Sequence, residues 1–416
     1  MIAEPPHTCP SCASAIEAAG DFPAWCTQCE WGLGDGTPAT GPVRGRLGRR
    51  SAHMVEALYE EVSGKEIHRP GWDLARVLSY LLALAVHAFT LSLLLVAVLL
   101  MWKARNLFTM IIVLILVLTV FAIAPRPGRL PKEHVRFRGD APALFGLLDR
   151  IGAEMDARPV DAVVVSPEFN AAYGAVGLRR RRVLEIGLPL WDVLSEQQRV
   201  ALIGHELAHG VNGDSRHGLV VGTSLSSLSR LHSAVLPGGG DARVNYLIDL
   251  IARAIQGAAG WLIGLAFRLQ MIITLRAGQR AEYLADRLAA RVASPAAAMG
   301  MLDTLHTAAD SHTAVVRRQA LPRSTAFWDD HRHGFAALPE RERERRRRVA
   351  ARRRLRVDRS HPPTHLRIAA LKGRPDTEPR IRLEGAERDR IQAELAQDYD
   401  RVAKDLREAA RAALYR

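Results

Sequence analysis

The chain has 416 residues, 48% of them hydrophobic, and a formal net charge of +13. That length exceeds what one compact core would use, and leaves room for a membrane anchor and a small extra module. The basic excess crowds beside two apolar runs and in the tract from Glu340 to Arg359. This distribution suits an anionic membrane surface and disfavours a nucleic-acid groove.

All four cysteines fall in the first thirty residues, as CPSC (Cys9, Cys12) and CTQC (Cys26, Cys29). Two such knuckles let four thiolates converge on one zinc ion, so residues 1–36 read as a zinc ribbon. No cleavable signal peptide is recognisable ahead of them, which places the ribbon in a reducing cytosol. Thr37 to Arg50 is rich in Gly, Pro and Arg, and 37–73 reads as a linker that tethers the ribbon without building it in.

Leu78 to Trp102 is almost uninterruptedly apolar, and a second run, Leu107 to Ala124, ends at Pro125. Residues 74–124 therefore read as a transmembrane hairpin. His87 within it is assigned no role beyond packing against a polar partner. Arg44, Arg46, Arg49, Arg50, Arg69 and Arg76 precede the hairpin; Arg126, Arg129, Lys132, Arg136 and Arg138 follow it. Both flanks, and with them the N-terminus and the main domain, are expected in the cytoplasm, against a minor contrary signal from Lys103 and Arg105.

Ala141 to Met155 has helical periodicity, whereas 161–166, 170–176 and 182–187 read as short strands of a small sheet. Ser195 with Gln198 has the spacing of a capping box, which starts a helix just ahead of VALIGHELAH. On that helix His205 and His209 share a face and can present imidazoles to one ion, while Glu206 is offset and can serve as general base to a water. Zinc needs a third protein ligand. Glu282 in QRAEYLADRLAA is the candidate, and Asp286, one turn on, can hydrogen-bond the outer nitrogen of a ligating histidine. Taken alone, Glu282 and Asp286 would equally suit ion pairs with Arg280 and Arg287.

The ordered set of motifs from about Asp161 to Leu371 resembles the HtpX-like family of integral-membrane zinc metalloproteases, kin of the CAAX prenyl endopeptidases. It comprises NAAYGAVGL, HELAH, a helix with Glu282, Ala285 and Asp286, and SHPPTHLRIAAL. The resemblance implies that His361 and Arg367 lie near the scissile carbonyl and stabilise an oxyanion. It also implies that the strand containing Asn170, Ala171, Ala172, Tyr173 and Gly174 borders the cleft and aligns an extended substrate. Further membrane helices are implied between HELAH and the third ligand. Leu219 to Leu236 and Tyr246 to Leu275 are the candidates, with a turn at Gly238 to Gly240; their charges leave open whether they span, lie in the interface or line a wet cavity.

The expectation is thus an α+β, mostly helical, membrane-anchored metalloprotease of the gluzincin type, with a small sheet beside the HExxH helix and an N-terminal ribbon. The metalloprotease domain covers 125–375, with a membrane-associated insert at 219–275 and an arginine-rich segment at 340–359 that either binds anionic lipid or forms a solvated helix. Residues 376–416 form a C-terminal helix that packs on the domain or mediates self-association. The function the resemblance implies is proteolytic quality control, the hydrolysis of peptide bonds in misfolded or unfolded membrane or cytosolic proteins at the cell membrane. CAAX-type processing and a non-catalytic zinc scaffold are the alternatives. Two zinc ions per chain are expected, one catalytic and one structural.

Overall fold

The computed structural model describes residues 8–16, 22–33, 55–63, 74–103, 106–124, 128–131, 133–177, 179–212, 218–235, 246–320, 326–352 and 361–414. Thr37 to Arg50, the Gly238 to Gly240 turn, residues 353–359, and Arg69, Arg105, Arg126 and Lys132 lie outside them. Two compact units emerge. One comprises Met1–Arg69, Arg129–Asn212 and Glu282–Arg416; the other comprises Pro70–Gly128 and Gly213–Ala281.

The first unit contains one mixed sheet of β1 (Val135–Arg136), β2 (Ala162–Ser166), β3 (Ala171–Val176) and β4 (Arg181–Gly187), in the order β1-β2-β4-β3. β2 runs parallel to β4, with Val163 opposite Leu184, and every position of β2 is buried. A continuous apolar run suits a strand covered on both faces. β3 is antiparallel to β4, with Tyr173 opposite Leu184, and occupies the sheet edge. β1 escapes sequence reading because two residues carry no periodicity.

Helix Pro142–Glu154 buries Leu144, Phe145, Leu147, Leu148 and Ile151, a stripe at helical spacing, against the HELAH helix Glu196–Val211. The latter starts at a capping box: Ser195 Oγ accepts from the Gln198 N–H, and Gln198 Oε1 accepts from the Ser195 N–H at 3.0 Å. Around them, helices Pro295–Thr307, Ala309–Gln319, Phe327–Ala336, Glu340–Arg352, Thr364–Lys372, Gly385–Glu394 and Ala396–Leu414 complete the unit. Leu202, Ile203, Leu207, Ala285, Val292, Met301 and Tyr399 belong to one continuous core. Within the stretch read as linker, residues 55–62 are helical, and Leu58 and Val62 pack on Tyr283.

In the second unit, helices Leu74–Lys103 and Leu107–Ile123 pack together, the second capped by Asn106 accepting from the Thr109 N–H at 2.9 Å. Their large apolar side chains, among them Leu81, Phe89, Leu91, Phe108 and Phe121, point outward. Such a surface suits a hydrocarbon solvent. Among the described residues, two helices are long and apolar enough to cross a membrane, Leu74–Lys103 and the segment Arg253–Ala293; Leu107–Ile123 is shorter. The polar groups here have partners. His87 Nε2 lies 3.0 Å from the Val220 carbonyl oxygen, Ser227 donates to the Ile123 carbonyl, and Arg230 donates to that of Ala124 at 3.0 Å.

The insert differs from its sequence reading. A π-helical turn, Gly218–Gly222, leads into helix Thr223–Val235, and Tyr246–Ala293 is one helix of 48 residues. The apolar segment ending at Leu275 and the helix carrying Glu282 are therefore parts of a single element. The interruption Arg276, Gly278, Gln279 and Arg280 looks like a break, yet one internal glycine costs a helix only about 1 kcal/mol.

Candidate active site

Two helices approach closely at a glycine. A Cβ on Gly204 would lie 3.3 Å from Ala289 Cα, so only a residue this small lets the HELAH helix pack so tightly on the final turns of the long helix. The crossing aims His205, His209 and Glu282 at one point. The two imidazole Nε2 atoms are 3.4 Å apart; Glu282 Oε2 lies 3.5 Å from His205 Nε2, and its Oε1 lies 3.5 Å from His209 Nε2. A tetrahedral zinc site with bonds of about 2.0–2.1 Å has ligand-to-ligand edges of about 3.3–3.4 Å. Two imidazoles and one carboxylate at these separations fit that ion. Glu206 is buried on the same helix, one residue on from the first histidine.

A buried polar layer surrounds these three side chains. Asp286 Oδ1 lies 3.1 Å from His205 Nδ1, and Arg367 grips the same carboxylate through Nε and Nη2 at 2.7 and 2.6 Å. Arg367 Nη2 is also 3.4 Å from Glu282 Oε2, and His361 Nδ1 is 2.8 Å from that oxygen. Burial opposes charge on His205, but Asp286 and Glu282 outweigh it and raise its pKa to about 10. Burial likewise disfavours the ionised Glu282, yet Arg367 and the imidazoles of His205 and His361 hold it well below the usual carboxylate range. Asp286 is lowered despite its burial by Arg367 and His205. The site therefore favours cations, and in the metal-free protein a proton on His205 occupies part of that preference.

A family profile described as Peptidase family M48 matches residues 146–375. The chain belongs to Peptidase family M48. A Protease HtpX homolog from Salinibacter ruber (strain DSM 13855 / M31) is 28% identical over 175 residues, which is 42% of this chain and 59% of the relative. The chain thus spans about three fifths of that curated relative's length.

In this M48 chain the two groups implied to lie near a scissile carbonyl sit differently. His361 has 53% of its side chain exposed, whereas Arg367 has 5%; it spends Nε and Nη2 on Asp286, and Nη2 also lies 3.4 Å from His205 Nε2 and 3.4 Å from Glu282 Oε2. The strand from Asn170 to Gly174 also adjoins the site. A Cβ on Gly210, the residue after His209, would come within 2.7 Å of the Tyr173 ring, so the ring lies directly over the end of the HELAH motif. Asn170 and Ala172 are exposed and Ala171 is buried, which leaves the outer side of the strand open. Gly187 is required where β4 ends: a Cβ there would meet the Glu168 carbonyl oxygen at 1.8 Å and that of Asn170 at 2.4 Å.

The four cysteines form a second group. Cys9 Sγ is 3.5 Å from Cys29 Sγ and Cys12 Sγ is 3.5 Å from Cys26 Sγ, with all four sulfurs mutually within 4.8 Å and none in a disulfide. Bonds of about 2.3 Å to one zinc give sulfur-to-sulfur edges of about 3.8 Å, so this set fits a tetrahedral ion as well. The knuckles repeat one hydrogen-bond pattern. Cys9 O accepts from Ala13 N–H while Cys9 N–H donates to Ser14 O; Cys26 O accepts from Glu30 N–H while Cys26 N–H donates to Trp31 O. Ala13 and Glu30, at the matching positions, both have positive φ.

Sequence reading missed where the ribbon sits. Trp25 and Glu30 contact Arg341 and Arg352, more than three hundred residues away in the chain, and no local spacing announces such a pairing. The one available signal was a buried-type aromatic inside a module too small to bury it.

Proposed function

We propose that this chain is a zinc-dependent membrane endopeptidase. His205, His209 and Glu282 hold the catalytic ion, and Cys9, Cys12, Cys26 and Cys29 hold a structural one. The observation that carries this reading is the set of three nearly equal ligand separations, 3.4, 3.5 and 3.5 Å, closed by residues from two different helices. When bound, zinc supplies Lewis acidity, polarising a carbonyl and acidifying water.

The chain's own groups do the rest. Glu206 accepts the proton of the attacking water on a carboxylate oxygen and delivers it to the nitrogen of the departing amine. His361, whose Nδ1 lies 2.8 Å from Glu282 Oε2 and whose side chain is half exposed, can donate through its other ring nitrogen to a developing oxyanion. Arg367 is a positioning residue that fixes Asp286, which in turn orients the His205 ring. The edge of β3 takes an extended substrate by strand addition, which gives main-chain affinity with little side-chain selectivity. Such a site suits unfolded polypeptides.

The second unit anchors the enzyme as a multi-pass bundle in the cell membrane. The flanking basic residues put the N-terminus and the catalytic unit on the cytoplasmic side. The functional partition is a ribbon at 1–36, a connecting stretch at 37–73 within which residues 55–62 dock as a helix, a hairpin at 74–124, a protease domain at 125–375, and a C-terminal segment at 376–416 with two helices, Gly385–Glu394 and Ala396–Leu414, where one was expected.

The deciding experiment is Glu206→Gln in detergent-solubilised protein with casein as substrate. Zinc content should stay at the wild-type level while cleavage falls about 10²–10⁴-fold. Undiminished zinc-dependent cleavage by this variant would remove the assignment.

A further inference from the structure

Helix Glu340–Arg352 carries seven arginines, and each has a partner inside the first unit. Arg343 and Arg345 bond locally, to Leu338 O and Phe335 O and to Glu342, and the other five divide between two partners. Arg341, Arg348 and Arg352, spaced seven and four apart, share one side. Arg341 Nη2 donates to the Trp25 carbonyl at 2.7 Å, Arg348 Nη1 to that of Thr27 at 2.7 Å, and Arg352 Nε to Glu30 Oε2 at 2.9 Å. The Trp25 ring is almost fully buried and meets the guanidinium groups of both Arg341 and Arg348, whose carbons are 5.4 and 5.1 Å from its centroid. Every one of these acceptors belongs to the second cysteine knuckle.

The other face holds the catalytic unit. Arg347 pairs with Asp303 at 2.7 and 2.8 Å, and Arg346 donates to the Thr307 carbonyl and to Ser311 Oγ. The same helix packs on Thr364–Lys372, which carries Arg367. Among its described residues the ribbon's own core is small: Cys9, Ile16 and Cys26 form its buried cluster, with Ala24 and Trp31 partly buried beside it, and Trp25 and Leu33 are also buried. A module of that size keeps its shape only while a metal joins its thiolates.

We propose that the ribbon is a metal-dependent clamp on the arginine-rich helix, which makes Trp25, Glu30, Arg341, Arg348 and Arg352 positioning residues for the HELAH site. Loss of the ribbon ion removes three fixed acceptors and one aromatic face from the helix. The helix then loosens, and with it the neighbouring helix whose Arg367 fixes Asp286 behind His205. The inference rests on the proposed endopeptidase only for its activity readout.

Amide hydrogen exchange on the full chain in detergent micelles tests it. In Cys26→Ser/Cys29→Ser protein, exchange over residues 340–352 and 364–372 should rise about tenfold or more, while β2 and β4 keep wild-type protection. Should that double variant fail to fold, one ion pair decides: Arg352→Glu and Glu30→Arg should each speed exchange in both helices, and the two together should restore protection. Casein cleavage should follow the same order, with kcat falling more than KM rises. Wild-type exchange over 364–372 after loss of the ribbon metal overturns the clamp, as does a charge swap that fails to restore it. A wild-type chain that cleaves nothing defeats the endopeptidase reading and leaves the clamp to be judged by exchange alone.

Discussion

Arg367 and Asp286 form a two-point ion pair, Nε to Oδ2 at 2.7 Å and Nη2 to Oδ1 at 2.6 Å, with both side chains all but removed from solvent. Truncating one partner leaves the other charge buried and alone, which costs about 3–5 kcal/mol. Arg367→Ala should therefore lower the thermal midpoint sharply. Asp286→Asn, which keeps the shape, should instead weaken zinc binding about 10–100-fold through the loss of a charged acceptor for His205. Calorimetry and a competitive zinc titration check the pair; an Arg367→Ala protein matching wild type in both would show that the layer does not support the ligands.

Zinc affinity should climb with pH in a range set by His205. In the metal-free protein its folded-state pKa is raised from 6.5 to about 10, so the proton's stabilising pairing with Asp286 and Glu282 is complete below about pH 6.5 and fades as pH rises through about 10. A metal must displace that proton. Between these limits affinity should tighten about tenfold per pH unit, beyond whatever the competing chelator itself contributes. Apo protein should accordingly be less stable near pH 10 than near neutrality, and zinc-loaded protein should not share the trend. A pH-independent affinity would contradict the charge state inferred for the site.

Gly210→Ala tests the contact between the strand and the motif helix. The new methyl would stand 2.7 Å from the Tyr173 ring, so the ring must move or the helix must shift. Overpacking of this kind costs about 1–3 kcal/mol. With β3 displaced, KM for an unfolded polypeptide should rise several-fold while zinc content holds. Unchanged KM in Gly210→Ala would separate the strand from substrate binding.

Metal analysis distinguishes the two centres. Purified wild-type protein should carry about two zinc ions per chain. His205→Ala/His209→Ala and Cys26→Ser/Cys29→Ser should each carry about one. Two ions retained after loss of the histidines would mean that the metal sits elsewhere.

Much of the site was legible because helices write their geometry locally. His205 with His209, and Glu282 with Asp286, are four residues apart, and that spacing alone puts each pair on one face. The capping box at Ser195 fixed the register of the first helix in the same way. Long-range pairing has no such signature. Nothing near Arg367 in the chain points to Asp286; only resemblance marks the residue, and its pairing exists only in the fold. The apolar stretch ending at Leu275 and the helix carrying Glu282 are one helix, because the polar residues between them, one glycine included, cost a helix little. For the ribbon, composition suggested a free tether. Trp25 and the arginines that enclose it are separated by most of the polymer.

The seven arginines of helix Glu340–Arg352 have a last consequence, for how the molecule behaves in bulk solution. Their guanidinium groups are held by carbonyls, carboxylates and an indole of the same chain, so these seven are less available to a polyanion than their number in the sequence suggests. Retention on heparin should therefore increase once a chelator strips the cysteine knuckles and frees Arg341, Arg348 and Arg352.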